Sequence, residues 1–256
     1  MNTMANLKGK RALVTGGGQG LGYAIVEHLL NAGADVAVHY FSSEAGAREL
    51  KSLAERKGRR AEIFRADLTK ETEAAALVNN AANFLGGLDV LVNNAGDLVQ
   101  RRSIQEVDTA FWERVMNVNV TSMFWVTRAA VPWLERAGQA SIVNLSSLAG
   151  RKGGHPGSLV YSTAKGAVLT WTRALANELA PKGIRVNCVA PGFILGTRFH
   201  NTHTTEDSAK KTIEGIPLGR AGSPEDIARA VVYLASEFDG FITGATLDIN
   251  GGVYAA

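Results

Sequence analysis

The stretch Arg11-Ala12-Leu13-Val14-Thr15-Gly16-Gly17-Gly18-Gln19-Gly20-Leu21-Gly22 decides the fold. Its first five residues form a short apolar run ended by glycines, which predicts a buried strand. From Gly20 the period changes. Leu21, Ile25 and Leu29 recur at i, i+4 and i+8, one face of a helix that stops at Asn31-Ala32-Gly33. Glycines in such a strand-to-helix turn let backbone N–H groups approach a pyrophosphate, and the helix start adds partial positive charge.

Outward from this unit the alternation continues. Asp35 to Tyr40 reads as the next strand, and further apolar runs lie at 61–66, 88–92, 141–145, 184–189 and 245–249. Between them, helix-like stretches cover 44–57, 70–85, 109–136, 160–180 and 224–236. Seven strands separated by helices predict one α/β domain, a doubly wound parallel sheet with helices on both faces. Right-handed crossovers place its ligand crevice at the carboxyl ends of the strands. The segment 191–222, rich in Gly, Thr and His, breaks the alternation and is expected to form a lid over that crevice.

Charge and cysteine usage narrow the classes. The 256 residues carry 27 Lys plus Arg against 24 Asp plus Glu, a net charge of +3, with no run of five like charges. That argues against nucleic acid as a partner. The single cysteine, Cys188, permits no intrachain disulfide, and no Cys/His cluster suggests a metal. Residues 1–8 lack the apolar segment of a signal peptide, and no stretch approaches the length needed to span a bilayer. The expectation is a soluble, cytoplasmic protein with no membrane partner.

The glycine loop, Asn93-Asn94-Ala95-Gly96, Ser147, Tyr161-x3-Lys165 and Pro191-Gly192 stand in the order and approximate spacing of the short-chain dehydrogenase/reductase family. The resemblance runs from about Leu7 to Gly252. It implies a Rossmann-like domain holding NAD(H) or NADP(H) and a homotetramer. Carried over to this chain, Gly16, Gly18, Gln19, Gly20, Leu21 and Gly22 would cradle the pyrophosphate. Asp67 and Leu68 would meet the adenine, and Asn94, Ala95 and Gly96 would flank the cofactor. Asp67 also has a bland reading, as the cap of the helix starting near Lys70.

Cofactor choice rests on the end of the second strand, where a carboxylate would accept from the ribose 2′-OH and repel a 2′-phosphate. NAD-specific relatives place Asp where Tyr40 stands. Here His39-Tyr40-Phe41-Ser42-Ser43 contains no acid, and the basic residues common in NADP-binding relatives are missing too. Ser42 and Ser43 could donate to a phosphate, although Ser43 also suits a helix N-cap. The balance favours NADPH and leaves NADH open.

Tyr161 and Lys165 lie four apart in a helical stretch, so both project from one face. A phenol titrates near ~10, and a neighbouring ammonium is expected to lower that value. The resemblance implies that Tyr161 gives its proton to a carbonyl oxygen while Ser147 hydrogen-bonds the same oxygen. Lys165 would hold the nicotinamide ribose, and Asn119 a water leading to solvent. Ser146 competes with Ser147, because the spacing to Tyr161 is one residue longer than usual; Asn117 competes with Asn119. Pro191, Gly192 and Ile194 would meet the nicotinamide, but Pro191-Gly192-Phe193-Ile194-Leu195-Gly196-Thr197 is also one residue long, which puts Thr197 in doubt.

Substrate signals are thinner. The segments 97–102 and 199–202 resemble those of reductases acting on α-keto uronic acids, which makes Arg101, Arg102 and His200 candidates for binding a small-molecule sugar acid. Solvated loop charges are the bland alternative. The whole chain also resembles 3-oxoacyl-carrier-protein reductases. A non-catalytic cofactor sensor is the remaining class; its usual mark is a missing Tyr or Lys, and both are present. The segments 109–136 and 160–180, with Phe111, Trp112, Val115, Phe124 and Trp125, carry more apolar surface than one helix face needs and would supply the subunit contacts.

Overall fold

Ala12, Leu13 and Val14 have no exposed surface, which is the burial expected of a strand covered on both faces. The computed structural model, which describes residues 6–197, 205–236 and 240–255, places them in β1 (Arg11–Val14). β1 lies inside a seven-stranded parallel sheet. The other strands are β2 (Asp35–Tyr40), β3 (Ala61–Arg65), β4 (Val90–Asn93), β5 (Ala140–Leu145), β6 (Ile184–Pro191) and β7 (Thr246–Ile249), in the order β3-β2-β1-β4-β5-β6-β7. The order reverses between β1 and β4, and a crevice opens there.

Strand alternation sorts the core into two layers. Val14, Val36, Val38, Val90 and Val92 pack on one face with α1 (Gly20–Asn31), α2 (Glu44–Arg56) and α9 (Pro224–Ala235). Leu13, Ala37, Leu91 and Ile142 pack on the other with α3 (Glu71–Leu85), α5 (Ser122–Arg136) and α7 (Leu159–Leu179). Each fully buried Leu or Val contributes about 1.5–3 kcal/mol. Beneath the crevice runs a buried polar ladder. Asn93 Nδ2 donates to Thr127 Oγ1 and Asn144 Oδ1, and Asn144 Nδ2 donates to Thr172 Oγ1. It ties β4 and β5 to the helices that carry the site.

One expectation needs correction. The helix expected over 109–136 is interrupted: α4 (Thr109–Met116) and α5 flank a π-helical turn at Asn117–Thr121. The wide turn is held by Asn119, whose side-chain amide donates to Val115 O at 2.9 Å and to Asp97 O at 2.7 Å. The segment 191–222, expected to form a lid, is described at 191–197 and 205–222. It contains α8 (Glu206–Glu214), capped by Thr205, and a parallel bridge between Ile194 and Gly222. A short α6 (Leu148–Lys152) also follows β5.

Candidate active site

At the carboxyl ends of the strands lies a cleft of about 1870 Å³. Gly16, Gln19, Gly20, Leu21 and Gly22 form one wall. α1 begins there with no side-chain cap and no acidic residue in its first turn, so its amides face no competing anion. Gly22 sits directly under the Gly16 carbonyl, and a Cβ on it would also stand 2.6 Å from Asn94 Nδ2. Gly20 has a positive φ of 55°. Asn94 closes the gap between β1 and β4: its backbone N–H donates to Thr15 Oγ1 at 3.0 Å, and its side chain to Thr15 O at 2.9 Å and Gly16 O at 3.1 Å.

The adenosine end departs from the sequence reading. Tyr40 does not reach the cleft. Val36, Val38 and Tyr40 share one face of β2, so the Tyr40 ring is carried into the core. His39 lines the cleft instead. Its Nδ1 accepts from Gly16 N–H at 3.0 Å and its Nε2 donates to Ala66 O at 3.1 Å. Burial pushes the ring down to about 4, which keeps it neutral and fixes this tautomer. Gly18 also turns away from the cleft, packed against the Ser43 backbone. Phe41, Ser42 and Ser43 line the cleft, and Ser43 makes no side-chain capping bond although it precedes α2. Asp67 and Leu68 line it too. Asp67 accepts from Thr69 N–H and Oγ1 rather than capping α3, and those bonds hold its carboxyl below the usual range.

Ser147, Tyr161 and Lys165 meet at the centre of the cleft. Ser147 starts α6, where its Oγ accepts from Ala149 N–H at 3.1 Å, and it shares a hydrogen bond with the Tyr161 phenol. Ser146 is buried, and its hydroxyl donates to Lys165 O at 2.7 Å. Lys165 Nζ donates to Leu145 O at 2.9 Å and lies 5.7 Å from the Tyr161 ring centroid. Burial pushes Lys165 down to about 8. The expected lowering of Tyr161 is not found. Burial pushes its phenol up to about 12, opposed by the Ser147 bond and assisted by the nearby Asp97 charge. Desolvation of the phenolate is the largest cause. Asn119 borders Gly96: a Cβ there would meet Asn119 Oδ1 at 2.6 Å and Lys165 Nζ at 3.0 Å.

Pro191, Gly192, Ile194 and Thr197 line the far side. Gly222 bonds to Phe193 O and Leu195 N–H, so the Ile194 amide and carbonyl face the opposite way. Within this segment Gly196 takes a positive φ of 78°. Thr197 still lies against the glycine loop, 3.7 Å from a Cβ built on Gly20. The two arginines are not equivalent. Arg101 lines the cleft, whereas Arg102 lies outside it, 4.3 Å over the Phe111 ring with Asp108 at 3.4 Å. His200 lies outside the described residues. The sequence reading passed over Asp97, His39 and Thr15; a buried His ending a strand beside the glycine loop was the one available signal.

A family profile described as enoyl-(acyl carrier protein) reductase matches residues 16–254. The 3-oxoacyl-(acyl-carrier-protein) reductase of Chlamydia trachomatis serovar D is 36% identical over 252 residues, 96% of this chain and 98% of that protein. The chain belongs to the short-chain dehydrogenase/reductase family. Among solved structures, a 7α-hydroxysteroid dehydrogenase complexed with NADH and 7-oxo glycochenodeoxycholic acid aligns with a TM-score of 0.93 at 32% identity, covering 98% of this chain and 97% of that one. An NADH-dependent reductase responsible for alginate metabolism aligns with a TM-score of 0.89 at 34% identity, covering 98% and 99%.

As a short-chain dehydrogenase/reductase the protein is an NAD(P)-dependent oxidoreductase acting on CH–OH groups. The cleft fits that cofactor, because the uncapped start of α1, brought close by a turn too tight for side chains at Gly16 and Gly22, suits a pyrophosphate. Among the described residues no helix is long and apolar enough to cross a membrane.

Proposed function

We propose that this short-chain dehydrogenase/reductase uses NADPH to reduce a carbonyl of a hydroxylated, carboxylated small molecule, a sugar-derived keto acid. Gly16, Gly20, Gly22 and Asn94 would hold the pyrophosphate side of the cofactor, Asp67 the adenine, and Ile194 and Thr197 the nicotinamide side. The absence of an acid at the end of β2, with Ser42 and Ser43 facing the cleft, supports NADPH. The bound nicotinamide would supply the hydride.

This chain's own residues manage the proton. Tyr161, protonated across the neutral range, gives its proton to the carbonyl oxygen. Ser147 Oγ accepts from Ala149 N–H, and its hydroxyl, bonded to the Tyr161 phenol at rest, would turn its hydrogen to the same oxygen and offset the developing charge. Lys165 spends one N–H on Leu145 O, and its remaining donors would serve the ribose and the phenol. The side-chain amide of Asn119 is engaged by Val115 and Asp97, so a water relay from Lys165 would rest on its main chain.

The observation that carries the substrate reading is Arg101 in the cleft wall, Nη1 at 3.3 Å from Pro156 O. A guanidinium there suits a carboxylate. The similarity to a reductase of alginate metabolism supports the same class, and the similarity to carrier-protein reductases supports the competing one. The test is kcat/KM with NADPH for an unsaturated-uronate-derived keto acid against a short 3-oxoacyl thioester. A preference of about a hundredfold for the keto acid, about 2.7 kcal/mol, is expected; preference for the thioester would overturn the reading. NADH in place of NADPH should raise KM for the cofactor.

We also infer a cytoplasmic homotetramer. Trp112 and Phe124 remain 39% and 36% exposed, and Phe124 meets Trp171 edge-on, apolar surface suited to a second copy. Light scattering after gel filtration tests it.

A further inference from the structure

Asp97 follows Gly96 at the end of β4 and lines the cleft with Tyr161 and Arg101. Its backbone is held at both ends by one side chain: its N–H donates to Asn119 Oδ1 at 3.2 Å, and its carbonyl accepts from Asn119 Nδ2 at 2.7 Å. Asp97 Oδ1 accepts from Val99 N–H at 3.2 Å. The second carboxylate oxygen has no partner among the described residues. The side chain is exposed to the cleft, close enough for its charge to act on the Tyr161 phenol.

Between Asp97 and Arg101 the chain reverses sharply. Val99 has a φ of 65°, and Gln100 N–H donates across it to Leu98 O at 2.8 Å. A β-branched residue in this conformation is strained. The reversal buries Leu98 and leaves Asp97 and Arg101 facing one cleft as acceptor and donor. A wall of that kind has a direction. Asp97 repels a carboxylate and accepts from a hydroxyl, while Arg101 does the opposite.

Resting on the sugar-acid reading above, we propose that Asp97 is a specificity-determining residue: its free carboxylate oxygen accepts a hydrogen bond from a hydroxyl beside the reacting carbonyl, while Arg101 takes the acid group at the other end. The substrate class is thereby a keto acid carrying a hydroxyl next to the carbonyl that is reduced, bound in one orientation.

The test compares wild type, Asp97→Asn and Arg101→Ala on two acids with NADPH: the unsaturated-uronate-derived keto acid and 6-oxohexanoate, which carries its carbonyl and its acid at opposite ends and has no hydroxyl. Asp97→Asn keeps the Oδ1 acceptor for Val99 and replaces the free acceptor oxygen with a donor NH2. Its kcat/KM for the uronate-derived acid should fall about tenfold or more, carried by KM, with 6-oxohexanoate changed less than about twofold. Arg101→Ala should weaken both acids. Unchanged thermal unfolding and NADPH affinity in Asp97→Asn show that the loop is intact. Equal losses on both acids, or none, overturn the role of Asp97 and leave the sugar-acid reading standing. If wild type reduces neither acid but does reduce a 3-oxoacyl thioester, the sugar-acid reading fails, and the assignment of Asp97 fails with it.

Discussion

The two walls of the cleft are built from different materials. On the cofactor side the contacts belong to the backbone. Gly16 N–H is held by His39, Asn94 is anchored on Thr15 and Gly16, and Thr15 Oγ1 accepts from Asn94 and Ala95 N–H. On the substrate side, Asp97, Arg101, Lys152 and Lys211 are exposed side chains on a loop or short helices. The first wall is rigid because its polar groups are satisfied internally. The second is defined by exposed charged side chains, which can change without disturbing the first.

The sharpest probe of the comparison lies where the walls meet. Tyr161→Phe should lower kcat by about a thousandfold, within the range of general acid catalysis, while NADPH binding by fluorescence titration stays within about twofold. Retained turnover would assign the proton to another group. Breaking the cofactor wall comes next. In Gly22→Ala a new methyl would be forced against the Gly16 carbonyl, so NADPH affinity should drop about tenfold or more and stability by about 1–3 kcal/mol in denaturant titration. Unaltered binding would show that the loop yields.

Titration gives the third effect. Lys165, pushed down to about 8, is charged below that value and neutral above it, while Tyr161 at about 12 remains protonated throughout. Reduction should be flat below about 8 and fall by about tenfold per pH unit above it, since the charged lysine is the working form. Stability moves the other way. The folded state binds fewer protons than the unfolded one between about 8 and the ordinary lysine value of 10.5, so this group's penalty is relieved as pH rises through that window. A rate independent of pH up to 10 would remove Lys165 from the proton path. The smallest effect tests the substrate wall: Arg102→Ala should leave kcat/KM unchanged and cost about 0.5–1 kcal/mol from its contact with Phe111.

Legibility followed the same division. The strand, the glycine turn and the helix of residues 11–31 could be read because each is a local matter of period and backbone freedom. Tyr161 and Lys165 could be paired because four residues make one helical turn. Tyr40 was misplaced by a single step of β2, where alternation decides which of two neighbours faces the cleft. The break at Asn119 was invisible, because its cause is a bond to Asp97, 22 residues earlier.

By itself the sequence determined the doubly wound sheet and the crevice at its carboxyl ends, since period and glycine placement act over a few residues. The resemblance to the family, not the spacing, pointed to Ser147, Asn94, Asp67 and Ile194. Only the tertiary structure decided that His39 rather than Tyr40 reaches the cleft and that Arg101 faces it while Arg102 stacks on Phe111. The same holds for the Tyr161 phenol, which burial raises instead of the lysine lowering it. Each of those outcomes depends on desolvation or on a partner distant in the chain, and both arise only when the elements pack.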